Sequence, residues 1–158
     1  MDIAGILDDL ATCLCAQILT DGLPPVCACG VMPGSEVALD YAGDCEDACG
    51  MAWVRLTSSY PSVSIGQPTA RPGNCSAAIG IEVELGIMRC IDLGDGTVAP
   101  DLAEMTAAAV LQYADMLAMW RAIACCQTSK DWVLGTYIPH GPQGGILGGI
   151  MPLAMLVI

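Results

Sequence analysis

The chain has 158 residues, of which 54% are hydrophobic and only 4% aromatic, with phenylalanine absent. That length suits a single domain, residues 1–158, with an aliphatic core, and the apolar excess over one small core predicts burial against other copies. Seventeen acidic residues against five basic ones (Arg55, Arg71, Arg89, Arg121 and Lys130) leave a net charge of -12, which argues against a protein that grips nucleic acid through its phosphates.

In chain order, residues 2–20 place Ile3, Ile6, Leu7, Leu10, Leu14 and Ile18 at helical spacing, with Asp8, Asp9 and Thr12 opposite. The pattern predicts a first helix, closed at Gly22 and barred from continuing by Pro24 and Pro25. This stretch is apolar like a leader peptide, yet it begins with an acid, contains two more and lacks a basic start, so it reads as part of the mature fold. The uninterrupted apolar runs at 107–111 and 153–158 fall far short of the ~20 residues a membrane-spanning helix needs, so no span is expected.

A short strand is expected at 26–32, then an acidic loop or irregular hairpin to residue 50. The stretch "MAWVRLTSSYP" (51–61) alternates as a strand, with Ala52, Val54 and Leu56 on one face and Trp53, Arg55 and Thr57 on the other. "PSVSIGQPTARPGNCS" (61–76) is rich in proline, glycine and serine and predicts an exposed, extended loop containing Ser62, Gln67 and Arg71. The clearest strand is 77–90, where Ile79, Ile81, Val83, Leu85 and Ile87 share one face and Gly80, Glu82, Glu84, Gly86 and Met88 the other.

Asp101 with Glu104 three residues on predicts the start of a long helix running to about Cys126. Its apolar residues cover most of the circumference, so it should be buried on more than one side. A strand at 130–139, a glycine-rich loop "GPQGGILGG" (141–149) and a last apolar strand close the chain. The expected fold is α+β: a mixed or antiparallel sheet of about four to five strands with two α-helices packed on one face.

No catalytic constellation emerges, and neither an enzyme nor a cofactor is expected. His140, the single histidine, lies in a Pro/Gly stretch, and neither glycine-rich segment has nucleotide-binding spacing. Glu82 and Glu84 fall on one side of a strand, which suits acid-base work or a cation and equally suits a solvated face. The ten cysteines do not match a zinc pattern. Cys13, Cys15, Cys125 and Cys126 read as small buried hydrophobes on helices, while Cys27 or Cys29 paired with Cys45 or Cys49 would staple the loop-rich region outside a reducing cell.

Four stretches, "CGMAWVRLTSSYPS" (49–62), "IEVELGIMRC" (81–90), "LQYADMLAMWRAIACC" (111–126) and "IPHGPQGGILGG" (138–149), taken in order resemble the tail terminator proteins of long-tailed actinobacteriophages. The closing apolar "IMPLAMLVI" departs from the polar alternation of that family's last strand. The resemblance implies a non-enzymatic virion protein, assembled in the bacterial host cytoplasm. It would form a hexameric ring on the head-proximal end of the tail tube, stop tube growth and join the major tail tube protein to the head-side neck protein, or stopper. DNA would pass through the bore without specific binding. On that reading Glu82 and Glu84 are expected to line the bore, the loop with Ser62, Gln67 and Arg71 to dock on an adjacent ring, and Gly141, Pro142, Gln143, Gly144 and Gly145 to serve at a contact. Another neck ring, a stopper or adaptor, and a small cysteine-rich metal or redox module are the alternative expectations.

Overall fold

The computed structural model describes residues 2–34, 45, 49–68, 78–92, 100–126 and 131–157. Two helices, α1 (Ile3–Thr20) and α2 (Leu102–Cys125), lie with seven strands: β1 (Ala28–Val31), β2 (Met51–Ser64), β3 (Gln67–Pro68), β4 (Ile79–Cys90), β5 (Val133–Leu134), β6 (Ile138–Gln143) and β7 (Ile146–Val157). The α+β expectation holds, with more strands than the four to five expected. The surplus arises in two places. The single strand expected at 130–139 is two short ones, and the expected loop at 61–76 begins as a hairpin of β2 with β3.

The sheet order is β1-β2-β4-β7-β5, with β3 beside β2 and β6 beside β7. Only β1 and β2 run parallel, which makes the sheet mixed; all other pairs are antiparallel. β5 pairs with the far end of β7 and β6 with its beginning, so the two short strands share one neighbour.

The alternation read in the sequence sets the two faces. Ala52 and Val54 of β2, Ile81, Val83, Leu85 and Ile87 of β4, and Met151, Leu153, Met155 and Val157 of β7 form the main core with the helices. α1 contributes Leu7, Leu10, Ala11, Leu14 and Ile18, and α2 contributes Met119, Ala122 and Ile123. α1 packs over β1 and β2, α2 over β7 and β4. A smaller cluster of Met51, Trp53 and Met88, with Ile146 and Ile150 against it, occupies the helix-free face.

Both helices begin on an aspartate that caps a free backbone donor: Gly5 N donates to Asp2 Oδ1 at 2.9 Å and Ala103 N to Asp101 Oδ1 at 3.2 Å. By length and composition α1 is a helix apolar enough to cross a membrane, although Asp8, Asp9, Thr12 and Gln17 divide it into short apolar runs. Its inner stripe is nevertheless core, and Cys13 and Cys15 bind it covalently to the rest of the fold.

Four disulfides connect the described residues: Cys13–Cys126, Cys15–Cys29, Cys27–Cys45 and Cys49–Cys90. Cys27–Cys45 belongs to the set expected from sequence. The reading of Cys13, Cys15 and Cys126 as inert buried thiols is corrected. The two helices pack side by side, which brings Cys13 and Cys126 to a Cα separation of 5.8 Å despite a sequence separation of 113. Cys125 is a free, exposed thiol, and Cys75 lies outside the described residues.

Candidate functional site

The helix-free face of the sheet carries Glu82 and Glu84, and the structure gives them different surroundings. Glu84 stands opposite Arg55 in the β2–β4 register. Arg55 Nε donates to Glu84 Oε1 at 2.7 Å, its NH2 to Oε2 at 2.9 Å, and Trp53 Nε1 to Oε1 at 3.0 Å. With three charge-assisted bonds and 7% exposure, Glu84 is an internal ion-pair partner and not a solvated acid, which corrects its expected place on a bore wall. Glu82 is half-buried and accepts from Ser58 Oγ at 2.8 Å. It lines an open pocket of about 230 Å³ with Thr57, Val133, Gly135, Pro152 and Ala154.

The other expected contact residues are spread over two hairpins. Ser62 is buried: its Oγ donates to the Gln67 carbonyl at 2.7 Å, lies against the Ser64 carbonyl and accepts from Ser64 N at 3.0 Å. It closes the β2–β3 turn and offers nothing to a partner, contrary to expectation. Gln67 is exposed at that tip beside Val63, and Arg71 lies outside the described residues.

Gly141, Pro142 and Gln143 belong to β6, where every residue is exposed, so this stretch is strand and not the loop expected. Gly144 (φ 61°) and Gly145 (φ 77°) form the turn to β7, the left-handed pair a tight hairpin needs. Gly148 sits where a side chain would strike the Ile87 carbonyl of the adjacent strand, so glycine here permits the close approach of β7 to β4. His140 is exposed on β6, and its imidazole makes no hydrogen bond or ion pair among the described residues. Its backbone carbonyl accepts from Gln112 Nε2 at 3.1 Å, and the same amide donates to the Gly148 carbonyl. Among the described residues no three potential metal-binding side chains converge.

A second buried ion pair, not anticipated from sequence, joins β4 to α2. Arg89 Nε donates to Asp115 Oδ2 at 2.7 Å and its NH2 to Oδ1 at 2.8 Å, while NH1 reaches the Pro24 carbonyl at 2.8 Å. Burial pushes the Asp115 carboxyl above its usual range, against the pull of Arg89. Arg121 pairs with Asp21 at 3.0 Å. Every described arginine thus sits on a carboxylate, while Asp2, Asp8, Asp9, Asp101, Glu104 and Asp131 are exposed. The described surface holds no basic patch that would attract a polyanion.

The outward face of α2 is a different kind of surface. Val110, Tyr113, Leu117 and Trp120 follow one another at helical spacing and are all exposed. From Met105 to Trp120 the single charged residue is Asp115, which is buried under the helix. As the sequence leads one to expect, α2 is covered on more than one side, by the sheet beneath it and by α1 alongside, while this outward face stays open.

No protein family matches the chain, and neither does any curated protein.

Proposed function

We propose that this chain is the subunit of a structural ring in a phage neck, one that caps the head-proximal end of the tail tube, ends its growth and joins it to the head-side neck protein. The observation that carries the subunit reading is the uncharged, apolar outer face of α2, since a protein with net charge -12 that leaves four large apolar side chains open on one helix is built to be covered. The terminator assignment itself rests on the ordered resemblance of residues 49–62, 81–90, 111–126 and 138–149 to that family.

Two further features support the reading. With a net charge of -12, its described arginines all paired with carboxylates and the other exposed charges among the described residues acidic, the molecule repels DNA, which suits a channel through which DNA slides. Four disulfides suit a protein that spends its working life in a virion, outside a reducing cytoplasm. Glu84 has no part in the bore, because its charge is already spent on Arg55.

The test is the native mass of the purified chain, alone and with tail-tube subunits. A ring, formed alone or only on tube ends where it halts elongation, is the expected result. A chain that stays monomeric and leaves tube growth unchanged refutes the proposal.

A further inference from the structure

Resting on that ring reading, we infer which two surfaces meet between neighbouring copies: the outer ridge of α2 on one copy and the pocket on the helix-free face of the sheet on the next. The two lie on opposite sides of one molecule. α2 covers the core face of the sheet, whereas Val133, Pro152 and Ala154 line the pocket from the other face, in register with Glu82 and Glu84 of β4.

Three observations select a second copy as the occupant. The first is shape. Trp120 (57% exposed) and Tyr113 (58%) stand out from a helix otherwise rich in small residues, and the pocket of about 230 Å³ is roomy enough for one aromatic side chain. An aromatic anchor in an apolar pocket is the usual centre of a protein interface.

The second is charge. Copies with net charge -12 repel one another, so they meet with least cost where neither offers an exposed acid, and the span Met105–Trp120 is the long described surface that offers none. The pocket's single acid, Glu82, is held by Ser58 at its rim.

The third is area. Val110, Tyr113, Leu117 and Trp120 together expose roughly 400–500 Å² of apolar surface, as much as the largest patch of an ordinary monomer. With Thr106 and Ala124 exposed on the same face the ridge supplies more than half of the ~800 Å² per partner of a standard interface. Because ridge and pocket are different surfaces, each copy uses one of each toward its two neighbours, and such a head-to-tail contact closes into a ring or runs on as a fibre. A second copy therefore covers Glu82 as well, and the pair of glutamates leaves the bore altogether.

The experiment uses two full-length variants, Trp120→Glu, which spoils the ridge, and Val133→Glu, which spoils the pocket. Both positions are exposed, and circular dichroism and thermal unfolding of each variant are expected to match the parent. Sedimentation, with tube subunits present if the parent assembles only on them, should show an assembly for the parent and no assembly for either variant. Mixing the two variants should give a one-to-one dimer and nothing larger, because the only intact pairing is the Trp120 ridge of one with the Val133 pocket of the other. Leu117→Lys, a second ridge variant, should behave as Trp120→Glu does. If the parent assembles and the variants assemble equally well, the ring reading stands and this interface is wrong. A mixture that stays monomeric also overturns it, since spoiled surfaces that were self-paired would not complement. A parent that is monomeric alone and with tube subunits overturns both.

Discussion

Arg89 on β4 and Asp115 on α2 form a two-bond ion pair at 2.7 and 2.8 Å in which both side chains are almost fully removed from water. The same guanidinium holds the Pro24 carbonyl, so one side chain fixes the α1–β1 connection, the sheet and α2. Removing one member strands a buried charge, and Arg89→Met or Asp115→Leu is expected to cost about 3–5 kcal/mol. Replacing both together should cost much less than the sum. Urea unfolding of the two single variants and the double variant measures the difference, and additive losses would show that the pair acts as two independent contacts.

Tyr137 is half-buried against the main core, and its hydroxyl is removed from water. Burial, and after it the Asp115 carboxylate, push its pKa from 10.0 up to about 12. The fold therefore holds the phenolic proton where the unfolded chain releases it. Stability from this group is complete below pH 10 and is lost as pH rises toward about 12. Absorbance titration should show one tyrosine ionising well above the others, and Tyr137→Phe should remove both that step and part of the alkaline loss of stability. A titration in which all four tyrosines of the chain ionise together would contradict it.

Glu84 and Glu82 look equivalent in the sequence and should respond very unequally to charge reversal. Glu84→Lys sets a second cation against Arg55 and leaves Trp53 Nε1 without its acceptor, so a loss on the order of 3 kcal/mol or more is expected. Glu82→Lys breaks one bond to Ser58 at a half-buried site and should cost about 1 kcal/mol or less. Thermal melts of the two variants separate the cases. Equal destabilisation would mean that the Arg55 pair contributes little.

The contrast shows what the sequence could reveal. Alternation along residues 77–90 correctly sorted Ile81, Val83, Leu85 and Ile87 to the core and the glutamates to the other face, because side-chain direction in a strand is a local property. Whether an outward acid meets water depends on register. The partner of Glu84 comes from a strand 29 residues earlier, although the outward Arg55 was a visible clue. β6 was illegible for a different reason. "IPHGPQ" has poor intrinsic strand preference and becomes extended only because β7 supplies a pairing edge, while the turn contracts to Gly144 and Gly145. Arg89 and Asp115 carried no signal beyond opposite charge on a strand and a helix, and the covalent partner of Cys13 lies 113 positions further along the chain.

The last hairpin gives a local test. Gly144→Val and Gly145→Val place a branched side chain in the left-handed region and should each cost about 1–2 kcal/mol, whereas Gly144→Asn should be nearly silent. Gly148→Ala has a different cause: its methyl meets the Ile87 carbonyl, so β7 must move off β4, for a loss of about 1–3 kcal/mol that asparagine cannot relieve. Unfolding curves for the four variants test this ordering, and a harmless Gly148→Ala would mean that the two strands separate readily.

The disulfides should differ in weight according to the chain they close. Cys13–Cys126 spans 113 residues and Cys15–Cys29 only 14. In the chain-entropy account, cross-linking a long loop removes more freedom from the unfolded chain, about 4–5 kcal/mol against about 3 for the short one. Replacing both members of a pair by serine keeps each site free of unpaired thiols. Cys13→Ser with Cys126→Ser is expected to lower the melting temperature more than Cys15→Ser with Cys29→Ser. The first pair also clamps α1 to the end of α2, so its loss should raise hydrogen exchange in the first helix while leaving β4 protected. Equal melting shifts, or exchange that rises uniformly, would show that the long-range bond constrains the unfolded chain no more than the short one.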